Sequence, residues 1–292
     1  GDVLLVYTSG TTGEPKGAMH TSAGLAANIA AAVDAQGLDA RSRVLAVLPM
    51  FHAGGLCIQT LPALAVGAQV KLHARFDTEA WFDDVEKWRP TTTLLVPAIM
   101  RALVEHPRWP GADLSSLAFV NSGSQIVPPA LIEAFHARGI PVAQVYGGTE
   151  TGPVSIVLRP AEAMAHVGQA GCPALGVTVR LAADGEVLLQ APNLMRGYHR
   201  HDGPSFDDEG FFHTGDLAAC DAEGYYTIVG RSKEVIISGG ENIHPAQIEQ
   251  LVGARPEIAD CAVVGLPDAR WGEVPVLAVV LREGMVLDPA AL

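Results

Sequence analysis

The sequence predicts an α/β protein: a doubly wound, largely parallel sheet, then a small antiparallel β unit, then the start of a small α+β unit. Three observations carry this. Up to Tyr146, short apolar runs alternate with helical patterns, the rhythm of strand–helix–strand units. From about Gly168 the chain changes to short alternating strands separated by turn pairs such as Asp184-Gly185. Beyond Arg231 a mixed strand, helix and strand pattern begins. The divisions that follow are residues 1–167, 168–231 and 232–292.

Each element has a local reason. Residues 3–7 are an apolar run that reads as a buried strand. Thr21 or Ser22 can cap a helix that runs through Leu25, Ile29 and Val33 to about Gln36 and stops at Gly37. Residues 44–48 and 69–72 read as strands, with a loop and a short buried helix between them. Residues 44–70 contain no Asp, Glu, Lys or Arg, but Pro49, His52, Gly54-Gly55, Gln59, Pro62, Gly67 and Gln69 interrupt them, so a membrane span is not expected. A helix with aromatics on one face covers residues 78–88. Strands at 92–96, 117–121 and 142–146 alternate with helices at 98–105 and 129–137. Short strands follow at 177–181, 185–190 and 224–229, then a strand at 234–237, a helix at 245–251 and strands at 258–264 and 274–281. A helix might start at Asp288.

At 292 residues the chain is long enough for about two domains and a substantial core. A formal charge of −13 argues against nucleic acid or an anionic membrane as partner, but not against a phosphorylated small molecule, which needs only local donors. Cys57, Cys172, Cys220 and Cys261 are widely spaced with no C-x-x-C pair, as in a reduced, cytoplasmic protein. No charged stretch and apolar core of a secretory leader opens the chain.

The densest chemistry lies in Thr8-Ser9-Gly10-Thr11-Thr12-Gly13-Glu14-Pro15-Lys16-Gly17. Four hydroxyls, three glycines and a lysine form a flexible, donor-rich loop suited to an anion. Against the P-loop template, Pro15 stands where the second glycine belongs, and Gly17 follows Lys16 in place of Ser or Thr. Taken alone, a solvated Gly/Thr hairpin loop remains the other reading.

Four more segments decide the matter: Phe51-His52-Ala53-Gly54-Gly55, Gln144-Val145-Tyr146-Gly147-Gly148-Thr149-Glu150, Phe212-His213-Thr214-Gly215-Asp216, and Gly230-Arg231-Ser232-Lys233-Glu234 running into Ile237-Ser238-Gly239-Gly240-Glu241-Asn242-Ile243. In this order, the five segments resemble the signatures of the adenylate-forming enzymes, a family of acyl- and aryl-CoA synthetases, luciferases and peptide-synthetase adenylation domains. The resemblance implies that a carboxylate attacks the α-phosphate of ATP, giving acyl-AMP and pyrophosphate. A thiol, that of CoA or of a carrier protein, then displaces AMP. Trp271-Gly272-Glu273 after Gly265-Leu266-Pro267-Asp268 resembles the CoA-ligase branch.

By the same resemblance, Thr8, Ser9, Gly10, Thr11, Thr12, Gly13 and Lys16 embrace the β- and γ-phosphates. The Thr149 hydroxyl contacts the α-phosphate and Glu150 holds Mg²⁺, whose oxygen preference suits a carboxylate. Tyr146 stacks on adenine, Gln144 lies near its amino group, and Ser124 with Gly147 lines the base. Asp216 and Arg231 hold the ribose. His52, Gly147 and Gly148 border the acyl pocket, although a lone His between Phe51 and small residues also fits a satisfied core histidine. Lys233 matches the hinge of a mobile C-terminal lid, and Gly239-Gly240 would let the pantetheine arm of CoA approach. Family members carry a long segment before the phosphate loop and a later stretch with a lysine that contacts the acyl phosphate. This chain has no counterpart to either, so it reads as a piece of a larger synthetase, and the absent lysine leaves open a nucleotide- and acyl-binding module that cannot catalyse alone.

Overall fold

The computed structural model describes residues 1–8, 15–200, 205–268 and 270–287. The expected donors Ser9, Gly10, Thr11, Thr12 and Gly13, and the helix start at Asp288, lie outside the described residues.

Five parallel strands form the centre. Gln69–Leu72 lies outermost, followed by Arg43–Ala46, Thr92–Leu95, Phe119–Gly123 and Val142–Tyr146. Two antiparallel strands, Ile156–Leu158 and Cys172–Pro173, extend the sheet beyond Val142–Tyr146. Successive side chains alternate between the two faces. Leu95, Val120 and Val142 join Trp81, Phe82, Met100, Leu103, Ile132 and Phe135 in one core, built with the helices Thr78–Lys87, Pro97–Val104 and Pro129–His136. Leu94 and Val145, each one residue out of step, join Ala31, Ala32 and Ala35 of Ser22–Gln36 in a second core. Helices on both faces make the sheet doubly wound, as the alternation of elements predicts.

Ser22–Gln36 begins and ends as its sequence requires. The Thr21 hydroxyl accepts from Gly24 N at 3.0 Å, and Gly37 closes the helix in the left-handed region at φ 63°. Between Arg43–Ala46 and Gln69–Leu72 the chain forms a loop, a π-helical stretch Gly54–Thr60 and the short helix Leu61–Ala65.

Four strands, Thr178–Leu181, Glu186–Gln190, Phe212–Cys220 and Tyr226–Arg231, form a fully antiparallel sheet in that order. A last sheet runs Glu241–Ile243, Ile236–Ser238, Gly272–Leu281, Ile258–Asp268, accompanied by the helix Pro245–Gly253. Arg101 Nη1 donates to the Ala259 carbonyl at 2.8 Å, and Arg282 pairs with Glu105, so this last sheet rests on the end of Pro97–Val104.

Two expectations need correction. Asp2–Thr8 is a strand, but not a buried one. It is the edge of a three-stranded antiparallel sheet with Lys16–Thr21 and Gly197–Tyr198, and Val3, Leu5 and Tyr7 stand exposed on it. A small sheet covered on one face buries alternate residues only. The strand expected at 234–237 starts later: Ser232–Glu234 is a 3₁₀ turn and Ile236–Ser238 is the strand.

Candidate nucleotide site

The strand Val142–Tyr146 ends at the carboxyl edge of the parallel sheet, where α/β folds bind ligands. Beyond it the chain turns back sharply to reach Ile156–Leu158. Gly147 permits the turn, because a methyl group there would stand 2.0 Å from the Pro153 carbonyl oxygen.

Tyr146, the last residue of the strand, reaches the small sheet. Its Oη donates to Asp216 Oδ2 at 2.8 Å, and Arg231 Nε donates to Asp216 Oδ1 at 2.8 Å. Asp216 and Arg231 face one another across the ladder of Phe212–Cys220 and Tyr226–Arg231, so the sheet register itself builds the pair. Burial, then the Asp216 charge, pushes the Tyr146 phenol upward, which keeps it protonated and donating. The Asp216 charge likewise raises the Arg231 guanidinium. A carboxylate with a donor on each oxygen still has lone pairs for the hydroxyls of a sugar.

Gly215, at φ 72°, bends the strand just before Asp216. Glu186 holds this bend. Its Oε1 accepts from Gly215 N at 2.9 Å while its Oε2 meets His213 Nδ1 at 2.9 Å. His213 Nε2 also faces Asp207, at 3.6 Å, and Asp207 in turn pairs with Arg180. The hydrogen bond to Glu186 raises the His213 pKa. The folded protein therefore holds this proton more tightly than the unfolded chain does. Its stabilising effect is complete below the unfolded imidazole pKa and is lost as pH rises through the raised folded value. In His213→Gln, part of the fall in melting temperature between about pH 6 and pH 8 should disappear. Thermal melts across that range check this, and an unchanged pH slope would assign the effect to other groups.

The second half of the site is the 3₁₀ turn Thr149–Thr151. Each of four successive carbonyls on it is held by a donor. Gly148 O accepts from Thr151 N at 3.1 Å, Thr149 O from His20 Nε2 at 2.8 Å, Glu150 O from Met195 N at 2.8 Å, and Thr151 O from Asn193 Nδ2 at 3.0 Å. A carbonyl only accepts, so His20 carries its proton on Nε2. Burial lowers the His20 pKa. The Glu150 carboxylate accepts from Tyr198 Oη at 3.0 Å and from Thr8 Oγ1 at 3.4 Å, and Lys16 Nζ sits 5.4 Å from the centre of the Tyr198 ring. Thr8 and Lys16 are paired opposite one another, so residues 9–14 join two strands whose ends stand beside Glu150.

The other expected residues distribute as follows. Gln144 Nε2 is buried and lacks a hydrogen-bond partner among the described residues. Ser124 holds φ 69°, an uncommon conformation for a residue with a side chain. It lies beside Gly54, where an added methyl would stand 3.9 Å from Ser124 Oγ. Gly148 approaches Glu150, since a methyl there would meet Glu150 Oε2 at 3.3 Å. His52 is exposed and stacked obliquely on Phe51, with ring centres 4.5 Å apart, which removes the core-histidine alternative. Gly54 leaves space, but Gly55 serves packing: a methyl there would stand 2.3 Å from the Pro49 carbonyl oxygen. Lys233 lies in the turn between the two antiparallel sheets. The side of Gly239 is filled by the Trp271 ring, 2.6 Å from where a methyl would sit, whereas Gly240 has nothing within 4 Å. His20, Tyr198, Asn193 and Glu186 were not anticipated from the sequence.

Among the described residues, no group of three or more His, Cys, Asp or Glu side chains could hold a metal by itself, and no helix is long and apolar enough to cross a membrane.

Comparison with known proteins gives the family. Residues 2–199 match the family described as AMP-binding enzyme, and residues 247–292 match the AMP-binding enzyme C-terminal domain. The chain is 47% identical over 298 residues to an indoleacetate–CoA ligase of Aromatoleum aromaticum, covering 98% of this chain and 58% of that protein. It is 40% identical over 297 residues to a feruloyl-CoA synthase of Amycolatopsis sp, covering 98% and 60%. Among solved structures, ATP-bound MatB from Rhodopseudomonas palustris superposes with a TM-score of 0.91 at 30% identity, covering 98% of this chain and 59% of that one. The o-succinylbenzoate CoA synthetase MenE of Bacillus subtilis, in complex with the acyl-adenylate intermediate OSB-AMP, superposes with a TM-score of 0.86 at 32% identity, covering 97% and 60%. The chain thus spans about three fifths of the length of the relatives it matches. With the family match covering residues 2–199 and resuming over residues 247–292, this chain belongs to the AMP-binding enzymes.

Proposed function

We propose that the protein carrying this chain activates an aryl-substituted carboxylic acid as acyl-AMP and transfers the acyl group to the thiol of CoA. The observation that carries the reading is the segment Gln144 to Glu150. One end places a tyrosine against an aspartate–arginine pair fit for a ribose, and the other places a threonine and a glutamate beside the donor-rich hairpin. Base, sugar and phosphates are then read along one strand end. The aryl preference comes from the indoleacetate and feruloyl ligases among the relatives.

In this reading Tyr146 and Gln144 receive adenine, the orphaned Gln144 amide supplying a donor. Asp216 accepts from the ribose hydroxyls while Arg231 steadies it. Lys16 neutralises the terminal phosphates, and the hydroxyls of Thr8, Ser9, Thr11 and Thr12 and the backbone N–H groups of Gly10 and Gly13 would serve as their donors. Ser124, Gly147 and Gly148 border the base and the acyl group, and His52 stands at the acyl entrance. The carboxylate oxygen forms a bond to the α-phosphorus as the bond to the pyrophosphate oxygen breaks; the thiol then attacks the acyl carbon and AMP leaves. Positioning and charge neutralisation are the protein's main contributions to such a transfer. The Glu150 carboxylate is a hard oxygen donor suited to Mg²⁺, which when bound would lower the charge on the phosphate chain, and the Thr149 hydroxyl would contact the α-phosphate. Lys233 would act as the pivot of the lid and Gly240 as the close approach for pantetheine.

Incubating the full-length protein with ATP, Mg²⁺ and a panel of carboxylic acids, with and without CoA, should release AMP and pyrophosphate. Release of ADP and phosphate would mean attack at the γ-phosphate and would contradict the reading.

A further inference from the structure

We propose that His20 is a positioning residue for adenylation: through its hydrogen bond to the Thr149 carbonyl it fixes the phosphate-loop hairpin and the Thr149–Glu150 pair as one rigid unit. The proposal rests on the reading above. His20 belongs to Lys16–Thr21, the strand that leaves the donor-rich loop, and pairs with Leu4 across the hairpin. Three residues separate it from Lys16 along one strand, so its position is tied to that lysine. The side chain is 3% exposed and lies beside a small cavity bordered by Leu4, Leu25, Ala53 and Pro153.

Those surroundings would suit a leucine. Burying an imidazole there costs free energy unless its N–H is used, and among the described residues the acceptor it meets is the Thr149 carbonyl at 2.8 Å. The other carbonyls of the turn are held by the turn itself or by residues 193–195. His20 is therefore the clamp that comes from the hairpin side. Among the described residues, the other side-chain contacts from the hairpin to Glu150 and its partner Tyr198 are the 3.4 Å approach of Thr8 Oγ1 to Glu150 and Lys16 over the Tyr198 ring.

The test compares His20→Leu, His20→Gln and His20→Asn in the full-length protein. Glutamine places an N–H donor at the same number of bonds from Cα as imidazole Nε2, whereas asparagine falls one bond short. Three quantities are read: acid-dependent exchange of pyrophosphate into ATP, affinity for Mg·ATP by calorimetry, and melting temperature. A displacement on the order of 1 Å at reacting groups costs ~100-fold in rate. Exchange should therefore fall by roughly that factor in His20→Leu and His20→Asn, Mg·ATP should bind more weakly, and the KM for the acid should hold. His20→Gln should recover most of the loss. Equal behaviour of the Gln and Asn variants would overturn the proposal, as would His20→Leu exchanging at the wild-type rate, whatever its melting temperature. A wild-type protein that exchanges with no acid would instead overturn the adenylation reading beneath it.

Discussion

Glu150→Gln should lower acid-dependent pyrophosphate exchange by ~10²–10³-fold, the scale of losing one preorganised electrostatic contact, about 3–4 kcal/mol. The substitution is nearly isosteric. Its amide oxygen can still accept from Tyr198 Oη and Thr8 Oγ1, so the turn keeps its shape and the melting temperature should barely move. What disappears is the negative charge next to the phosphate chain. The loss should shrink as Mg²⁺ is raised, because a weakened cation site can be filled by mass action. Exchange titrated against Mg²⁺ for both proteins measures this. Unchanged exchange at limiting Mg²⁺ would remove Glu150 from the site.

Asp216→Asn should raise the KM for ATP by ~10²-fold and also destabilise the fold. The carboxylate now accepts from Tyr146 on one oxygen and Arg231 on the other. Asparagine keeps one acceptor oxygen and gains a donor, so either the half-buried phenol or the guanidinium loses its partner. An unsatisfied buried donor costs about 1–3 kcal/mol, and a lost hydrogen bond to a charged group about 1.5–3 kcal/mol. Only the part felt by the ribose enters KM; the rest appears in the melting temperature. Tyr146→Phe removes one donor, so combining it with Asp216→Asn should cost less than the sum of the two singles. Strictly additive losses in melting temperature, with an unchanged KM for ATP, would show that the cluster is neither coupled nor part of the nucleotide site.

Much of the large sheet is legible in the sequence because its strands are short apolar runs punctuated by Gly and Pro. Gln69–Leu72 and Val142–Tyr146 fall on the predicted residues. Phe212–Cys220 escaped for a physical reason: Gly215 sits in the left-handed region and the pairing slips on both sides, so the alternation that marks a strand is broken. Lys16–Thr21 escaped because Gly17 and Ala18 give no alternation, and Thr21 already served as a helix cap. Tyr146, Glu150, Asp216 and Arg231 were visible through their motifs. His20 was not, since its partner is a backbone carbonyl 129 residues away and a carbonyl leaves no mark in a sequence. Asn193 was hidden for the same reason, its carbonyl partners lying 42 and 39 residues back, and Tyr198 because its partner, the Glu150 carboxylate, lies 48 residues back along the chain.

The central claim is attack of a carboxylate on the α-phosphorus. A carboxylic acid carrying heavy oxygen in both carboxyl positions tests it directly, with full-length protein, ATP, Mg²⁺ and CoA. The account predicts one labelled oxygen in the AMP released, because the bridging oxygen of acyl-AMP leaves with AMP when the thiol attacks the acyl carbon. The label in inorganic phosphate, with unlabelled nucleotide, would contradict it.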